Sequence, residues 1–419
     1  MGNLPIPSAA QQVHSQQLCE IIALVIAKSG WISFADFMHM ALYTPGLGYY
    51  SGGAQKFGLE GDFVTAPEIS PLFAQTIARQ AAPILAVSDG DILELGAGTG
   101  KLAADLLLEL AELKQLPNQY FILEVSDYLR QSQRETCHAK LPKPLFEKLV
   151  WIDKLPPSPQ PSAPQAEGEG AANIAIPFNH CQPSPPQAEG EGAMNGFCGL
   201  ILANEVLDAL PVHLIVKNKG ELFERGVVFE GDFVWQEKPL KNKEIAQEAH
   251  GVCLPEQYLT EFCPAAKGLV NSLAEVLTQG VILLIDYGFS AREYYHPQRS
   301  EGTLMCHFQH YAHSNPLINI GLQDITAHVN FTKMAQAGEA HGIRLAGYAT
   351  QAQFLINCGM LDIMAQHSPD SPQFMQLAAA AQKLLSPAEM GELFKVMALT
   401  KNFDMPLIGF AEGDKRHTL

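Results

Sequence analysis

The sequence has few basic residues and no paired cysteines. Lys and Arg total 27 against 44 Asp and Glu, and the formal net charge is −17 at pH 7. Such an acidic surface repels phosphate backbones, so we expect no general nucleic-acid binding. The eight cysteines are scattered singly and none forms a C-x-x-C pair. This usage is typical of reduced thiols in a cytoplasmic protein.

Long apolar segments are also missing. The longest apolar runs, such as 21–27 and 281–285, are far too short to span a bilayer. The first residues lack the basic start and the apolar core of a secretory signal. We therefore expect a cytoplasmic protein with no membrane insertion.

The chain has 419 residues, of which 47% are apolar and 17% charged, so it can bury a sizeable core. From residue 91 onwards, apolar strands alternate with amphipathic helices, which predicts an α/β fold with a doubly wound parallel sheet. Ligands then lie beyond the carboxyl ends of the strands. The predicted elements are strands 91–95, 120–125, 149–152, 200–203 and 281–285 and helices 99–114 and 127–140.

The segments around this core predict a helical N-terminal extension and an inserted substrate lobe. Their predicted elements are helices in 15–42 and 71–87, paired strands 212–217 and 222–229, helices in 242–279, a helix at 386–396 and final strands at 397–400 and 407–411. The predicted units are the extension (1–88), a Rossmann-like cofactor-binding core (89–211), the lobe (212–279) and the rest of the core (280–419), with a substrate-facing loop at 290–335.

Residues 155–195 interrupt this pattern. The segment is rich in Pro, Gly, Gln and Glu, and it repeats Pro-Gln-Ala-Glu-Gly-Glu-Gly-Ala at 164–171 and 186–193. Its apolar content is too low for a core, so we predict a disordered surface insertion. A partner-binding tail and a merely tolerated duplication both remain open.

The most informative motif follows the strand at 91–95. Glu94 precedes Gly96, Gly98 and Gly100, and an amphipathic helix comes next. Glycine permits positive φ and lets a ligand lie against bare backbone, beside the free N–H groups of a helix N-terminus. Dinucleotide folds use G-x-G-x-x-G, but here the third glycine comes one residue early. The pattern predicts a turn for S-adenosylmethionine (SAM), with Glu94 near its methionine amine or a bound water; a turn without a ligand is the alternative.

Residues outside the turn are also predicted to contact the cofactor. Glu124 ends the next strand, where an acidic residue accepts hydrogen bonds from both ribose hydroxyls; a solvent-facing strand end is the alternative. Phe63, Thr65 and Glu68 belong to a polar and aromatic loop before the core. We expect this loop to cover the cofactor, with Phe63 on its adenosine or sulfonium end, although an ordinary packed loop is also open.

Polar side chains follow the predicted strand at 200–203. Asn204, Glu205 and Asp208 lie at the edge of the sheet where catalysis is expected. We assign Asn204 to the cofactor, and Glu205 and Asp208 to a methyl acceptor that needs orientation and a way to lose its proton. Carboxylates suit a guanidinium especially well, because they form bidentate pairs with it. Helix capping by Asn204 and Asp208 is the alternative.

Histidines cluster between residues 307 and 328. His307, His310 and His313 recur at three-residue spacing, but no cysteine pair or carboxylate clearly completes a ligand set. We therefore predict a substrate-facing loop and no metal. His328 is a candidate catalytic base, because an imidazole titrates near neutral pH, and a structural histidine is the alternative.

Together these motifs resemble the MidA family of SAM-dependent methyltransferases over nearly the whole chain. The family includes bacterial proteins and a mitochondrial methyltransferase of complex I assembly. Two features depart from its pattern: the insertion at 155–195, and His328 and Asn330, which stand where many members carry acidic residues. The segments that carry the resemblance are 48–50, 61–70, 93–100, 124–126, 204–213, 286–288, 324–331 and 390–396.

The resemblance implies a Rossmann-like class I methyltransferase core, SAM as cofactor and, from the mitochondrial relative, arginine on a protein partner as the acceptor. We therefore expect an active enzyme in the bacterial cytoplasm, with a respiratory-complex subunit as partner and a homodimer as further expectations. Two alternatives remain open. A small-molecule methyltransferase would have a closed apolar pocket, and an assembly chaperone would keep SAM only as a structural ligand.

Overall fold

The computed structural model describes residues 4–52, 64–156 and 196–419. The strands are β1 (Ile32–Ser33), β2 (Asp91–Leu95), β3 (Tyr120–Leu123), β4 (Leu149–Ile152), β5 (Phe197–Asn204), β6 (His213–Asn218), β7 (Glu221–Phe229), β8 (Phe233–Pro239), β9 (Tyr258–Phe262), β10 (Leu277–Phe289), β11 (Met305–Phe308), β12 (Tyr311–His313), β13 (Asp324–Thr326), β14 (Val329–Asn330), β15 (Arg344–Thr350) and β16 (Phe394–Lys401).

The helices vary from single turns to the 21 residues of the first one. They are α1 (Ala9–Ser29), α2 (Phe34–Tyr43), α3 (Ala66–Ile69), α4 (Pro71–Ser88), α5 (Lys101–Glu112), α6 (Asp127–Lys140), α7 (Lys143–Phe146), α8 (Lys243–His250), α9 (Pro264–Val276), α10 (Ala291–Tyr294), α11 (Phe331–Ala340), α12 (Gln351–Asn357), α13 (Met360–Met364) and α14 (Pro372–Leu385). None of the helices in the described part of the chain has the length and apolar character needed to cross a membrane.

The main sheet has the strand order β15-β16-β10-β5-β2-β3-β4, and β14 pairs with β10 beside this path. The five strands from β10 to β4 run parallel, whereas β16 is antiparallel to both of its neighbours. The sheet is therefore mixed: the five strands predicted to form a parallel sheet are parallel, and β16, for which no direction was predicted, is antiparallel. The apolar pattern of a strand does not encode its direction, which depends on how the chain returns to the sheet.

The central strands are buried on both faces. Along β10, Val281, Leu283 and Ile285 pack into one core, and Ile282 and Leu284 pack into the other. Helices α4 and α5 belong to the first core, and α9 and α11 belong to the second. Burial on both faces requires a continuous apolar run, which is why the core strands could be predicted from the sequence.

A second sheet carries the N-terminal helices. Its order is β1-β7-β6-β9, with β8 beside β7, and a third small sheet has the order β12-β11-β13. Leu18 and Ile22 of α1 and Phe37 of α2 share one core with Leu214 of β6 and Val227 of β7. The predicted extension thus contacts two sheets, since α4 packs with α5 on the main one. The boundaries of the predicted units stay predictions.

Several sequence predictions of single elements are confirmed, and three are wrong. The helix at 127–140 and the strand at 149–152 match the structure. Residues 258–262, predicted as helix, form β9, because their backbone pairs with β6. The helix predicted at 386–396 is absent: α14 ends at Leu385, a turn follows, and the largely buried strand β16 begins at Phe394. Residues 407–411 form a short 3₁₀ turn, not a strand.

Two predictions fall on parts of the chain that the structure does not describe. Phe63 lies outside the described residues, and so does the insertion from residue 157 to 195. The predicted loop at 290–335 is described, and it contains the three short strands of the third sheet.

Ser33 begins α2, which carries Tyr43 towards the site described below. Its side chain accepts a hydrogen bond from the backbone N–H of Asp36 at 3.0 Å. Ser33→Ala should lower the free energy of unfolding by about 1 kcal/mol, because that N–H loses its partner. Urea unfolding measures the loss. Ser29→Ala, at the exposed end of α1, should change the value by less than about 0.5 kcal/mol, and equal effects of the two changes would contradict the prediction.

Candidate active site

The glycine turn joins β2 to α5 in a left-handed backbone conformation. Gly96, Gly98 and Gly100 have φ of 60°, 53° and 83°. The backbone N–H of Gly96 donates to the carbonyl oxygen of Leu123 at 3.1 Å, which ties the turn to β3. A Cβ atom at Gly98 would meet no atom within 4 Å, so the backbone at this point borders open space. A ligand can therefore lie against the turn, as the motif predicts.

Helix α3 connects this turn with the acidic residues beyond β5. Thr99 of the turn donates to Glu68 Oε1 at 2.5 Å. The backbone N–H of Ala66 points to Glu205 Oε1 at 3.4 Å. Thr65 is half-buried directly before α3 and makes no side-chain capping bond. The predicted cofactor residues Thr65 and Glu68 thus lie between the glycine turn, which is the cofactor half of the site, and the acidic residues after β5, which are its acceptor half.

Glu94 lies deeper than its predicted contact with the methionine amine suggests. Its carboxyl group is 2% exposed and accepts a hydrogen bond from the hydroxyl of Tyr120 on β3 at 2.7 Å. Burial raises the pKa of Glu94 to about 7. The carboxyl group of Glu94 is therefore hydrogen-bonded to the neighbouring strand β3. Its contact with a bound water or with the cofactor stays a prediction.

Glu124 follows β3 and is held by three donors. The backbone N–H groups of Val125 and Ser126 both donate to its Oε1 at 2.9 Å. The side-chain amide of Gln133 on α6 donates to its Oε2 at 2.8 Å. Burial raises the pKa of Glu124 even though these bonds favour its ionised form. A buried carboxylate therefore lies beside the turn, where the ribose partner is predicted.

The chain turns sharply after β5 instead of entering a helix. Glu205 has a φ of 53°, an uncommon value for a residue with a side chain, and its N–H donates to the carbonyl oxygen of Ile285 at 2.9 Å. No helix begins between 204 and 212 in this described segment, so the helix-capping alternative for Asn204 and Asp208 is wrong. A strained turn at a strand end is a common feature of functional sites.

Asp286 holds this turn in place. Its Oδ2 accepts the N–H groups of Leu207 and Asp208 at 3.0 and 3.3 Å, and its Oδ1 accepts that of Tyr287 at 2.9 Å. Burial, with the charges of Asp208 and Glu205 next, raises the pKa of Asp286 well above its usual range. The sequence analysis assigned no role to this residue, although the Asp286-Tyr-Gly motif was part of the resemblance.

Asp208 presents one carboxyl oxygen without a partner. Its Oδ2 accepts a short hydrogen bond from the hydroxyl of Tyr287. Its Oδ1 is buried and has no hydrogen-bond partner among the described residues. Asn204 Oδ1 is in the same situation, while Asn204 Nδ2 donates to Glu205 Oε1 at 3.2 Å. Buried polar atoms rarely lack partners, so both oxygens are candidates for ligand contacts.

The two predicted acceptor carboxyls differ in protonation. Burial, followed by the charge of Asp208, raises the pKa of Glu205 to about 8. Burial also raises the pKa of Asp208, to about 6, against the effect of the Tyr287 hydroxyl. The charge of Asp208 thus favours the protonated form of Glu205, whereas the Tyr287 hydroxyl favours the ionised form of Asp208. Two carboxyl groups whose environments separate their pKa values are suited to different acid and base roles.

Three residues that the sequence analysis did not assign to the site complete it. The hydroxyl of Tyr50 donates to Asp324 Oδ1 at 2.8 Å. The ring of Tyr50 stacks on that of Tyr43 with 5.6 Å between centroids, and Tyr43 donates to the carbonyl oxygen of Ala209 at 2.9 Å. Burial and then the charge of Asp324 raise the pKa of both tyrosines. The motifs Gly48-Tyr-Tyr and Asp324-Ile-Thr were the available signal, but nothing in the sequence showed that they meet.

His328 lies next to this cluster but in an apolar environment. Its ring stacks on Phe289 with centroids 5.1 Å apart and contacts the edge of Tyr287. Burial, followed by the charge of Arg299, lowers the pKa of His328 to about 4. This lowered pKa counts against titration near neutral pH. Its role as a catalytic base stays a prediction that the low pKa disfavours.

The other histidines lie on the third sheet. His307 is in β11 and His313 in β12, on paired strands, and His310 is in the connection between them. Within the described ranges, no three His, Cys, Asp or Glu side chains are grouped as metal ligands.

The residues around the turn fit SAM on three observations. Gly98 borders open space, Asn204 Oδ1 lacks a partner within the described residues, and Glu124 is a buried carboxylate. The amide of Gln133 donates to both Glu124 and the carbonyl oxygen of Gly98, so the turn and the carboxylate are adjacent.

Comparison with known proteins agrees with this geometry. Residues 72–349 match the profile of a family described as "Putative S-adenosyl-L-methionine-dependent methyltransferase". A crystal structure from Burkholderia thailandensis bound to S-adenosyl-homocysteine is 43% identical, with a TM-score of 0.88 and 100% of both chains covered. A native crystal structure from the same organism is 42% identical, with a TM-score of 0.86 and the same coverage.

Two curated relatives carry a more specific name. The protein arginine methyltransferase NDUFAF7 homolog, mitochondrial, of Drosophila melanogaster is 27% identical over 96% of this chain and 90% of its own length. The protein arginine methyltransferase NDUFAF7, mitochondrial, of Danio rerio is 26% identical over 97% of this chain and 94% of its own length.

Gly98→Val should abolish SAM binding in calorimetry. A β-branched side chain is strained at this positive φ, and it would fill the open space against the turn. Gly220→Val is a matched control, because Gly220 has a φ of 78°, also borders open space and lies in the connection between β6 and β7. Unchanged SAM affinity in Gly98→Val would refute the assigned site.

Glu205→Gln should stabilise the protein increasingly as the pH rises. The pKa of Glu205 is about 8 in the folded protein and near its ordinary 4.5 in the unfolded chain, so folding retains a proton that the unfolded chain releases. Wild-type stability from this group therefore falls between about pH 4.5 and 8, by up to about 1.4 kcal/mol per pH unit. Unfolding titrations across this window measure the difference, and a difference independent of pH would contradict the raised pKa.

Proposed function

The chain belongs to the family of SAM-dependent methyltransferases, and we propose from that premise that it methylates an arginine side chain of a protein partner. SAM is the cofactor and supplies a methyl group bound to a positively charged sulfur. The observation that carries the proposal is the buried Oδ1 of Asp208, at the carboxyl end of the parallel strands, which has no hydrogen-bond partner in the described part of the chain. The names of the two curated relatives support arginine as the acceptor.

The acceptor half of the site has the chemistry of a guanidinium pocket. Asp208 and Asp324 provide carboxylates, and Tyr43 and Tyr50 provide aromatic rings. The hydroxyl of Tyr50 donates to Asp324, and that of Tyr43 donates to the carbonyl oxygen of Ala209 in the turn after β5. Carboxylates bind a planar guanidinium with two parallel hydrogen bonds, and aromatic rings tolerate its charge. Holding the acceptor in line with the methyl group is the main task of the protein in such a transfer.

Asp208 also has the properties of the proton acceptor. Tyr287 occupies its Oδ2, which leaves Oδ1 for the proton that the acceptor nitrogen loses when its new bond to carbon forms. Its pKa of about 6 keeps it mostly ionised at neutral pH. Glu205, with a pKa of about 8, holds a proton in the free site and can lose it when a cation arrives.

The experiment that tests the proposal is methyl transfer from radiolabelled SAM into an extract of a strain lacking this protein. Label on arginine of a protein band, identified by mass spectrometry, is the expected result. Label confined to small molecules would favour a small-molecule methyltransferase. Absence of transfer with intact SAM binding would favour an assembly chaperone, and either outcome overturns the proposal.

Three finer expectations accompany this proposal. A respiratory-complex subunit as the partner, a homodimer and a cytoplasmic location are our proposals, and both curated relatives are named mitochondrial. Identification of the labelled band tests the first, and sedimentation of the purified chain tests the second.

Asp208→Asn should lower the transfer rate at least about a hundredfold, because the amide cannot take the proton. The affinity for SAM should change little, since Asp208 lies in the acceptor half of the site. Rates come from label incorporation at saturating SAM, and affinity comes from calorimetry. Asp370→Asn, an exposed change before α14, is the control. A rate within a factor of about three of wild type would exclude Asp208 as the proton acceptor.

A further inference from the structure

We infer that Gln133 is a positioning residue for the cofactor, which acts by orienting the carboxylate of Glu124 towards the ribose hydroxyls. This inference concerns the cofactor half of the site and does not depend on the identity of the acceptor. Gln133 was absent from the sequence analysis, because a glutamine in the middle of an amphipathic helix carries no motif.

The side chain of Gln133 joins three separate segments. It projects from α6 and is completely buried. Its Nε2 donates to Glu124 Oε2 at 2.8 Å and to the carbonyl oxygen of Gly98 at 3.1 Å. Its Oε1 accepts a hydrogen bond from Trp151 Nε1 on β4 at 3.0 Å. One amide thus connects the glycine turn, the ribose carboxylate and the end of the next strand.

Trp151 determines which way the amide faces. An indole N–H is a donor only, so the oxygen of Gln133 must point towards Trp151. The NH₂ group must then point towards Glu124 and Gly98, and its two hydrogens match the two acceptors there. The opposite orientation would place an amide N–H₂ against an indole N–H and leave both acceptors without a donor.

Gln133 also limits how Glu124 can bind. A carboxylate has about four lone-pair sites, and the backbone N–H groups of Val125 and Ser126 use the two on Oε1. Gln133 uses one on Oε2, so one site on Oε2 is left, which suffices for only one of the two ribose hydroxyls that Glu124 was predicted to bind. The bond from Gln133 therefore sets the direction in which the remaining lone pair points.

The isosteric change Gln133→Glu tests this role directly. The new carboxylate can still accept from Trp151, but its other oxygen faces Glu124 and the Gly98 carbonyl oxygen, where it repels both. Loss of a hydrogen bond to a charged group corresponds to about a tenfold to hundredfold weaker affinity. Calorimetry with SAM and with S-adenosyl-homocysteine at about pH 8 should show a dissociation constant raised by that factor.

The matched control is Gln131→Glu on the same helix. Gln131 is exposed and bonds only to Glu135 one turn away in the described structure, so the change adds the same charge without reaching the site. Its dissociation constant for SAM should stay within a factor of about two of wild type. An equal loss in both variants would attribute the effect to charge on α6 and overturn the inference.

Two further readouts separate positioning from general structural damage. The loss in Gln133→Glu should shrink as the pH falls from about 8 to about 6, because a protonated carboxyl group can again donate to Glu124. On a Glu124→Gln background the same change should cost less than about threefold, because the carboxylate it acts on is gone. If the loss of SAM affinity in Gln133→Glu depended neither on pH nor on the presence of Glu124, the role of Gln133 would be structural only.

If Gln133→Glu does not fold, Trp151→Phe tests the same inference by its affinity for SAM. It removes the donor that orients the amide and keeps an aromatic ring, so a smaller rise in the dissociation constant, about threefold to tenfold, is expected. Wild-type affinity in Trp151→Phe, or in a folded Gln133→Glu, overturns the inference.

Discussion

Three backbone hydrogen bonds to the carboxyl group of Asp286 hold the acceptor half of the site together. They come from Leu207, Asp208 and Tyr287, on the turn after β5 and at the end of β10. Without Asp286, the turn that carries Glu205 and Asp208 would have two buried N–H groups without these partners, those of Leu207 and Asp208. The same bonds place the Tyr287 hydroxyl on Asp208, so one buried carboxyl determines where the others lie.

Burying so many carboxyl groups opposes folding and suits the site to the cationic acceptor that we propose. Glu205, Asp208 and Asp286 all have raised pKa values because water is excluded from them. A guanidinium, which we propose as the acceptor, would compensate for the lost solvation by direct hydrogen bonds to the carboxylates. Helix α3 then couples the two halves, since Glu68 contacts the glycine turn and Ala66 contacts Glu205.

The fold and the glycine turn were largely predictable, because they depend on local patterns. A buried parallel strand is a continuous apolar run, and a cofactor turn is a fixed spacing of glycines. The errors came where local patterns are ambiguous. Residues 394–396 were predicted as the end of a helix but pair with β10 as the start of β16, and β9 is a strand because β6 pairs with it.

The sequence by itself determined the α/β class, the glycine turn and the presence of carboxylates after β5, since each depends on residues that are close together in the sequence. Only the tertiary structure decided which groups meet and how they are protonated. Tyr50 and Asp324 are 274 residues apart and form one hydrogen bond. His328 was expected to titrate near neutral pH, but burial lowers its pKa to about 4. Contact and burial depend on packing between distant segments, which no local pattern specifies.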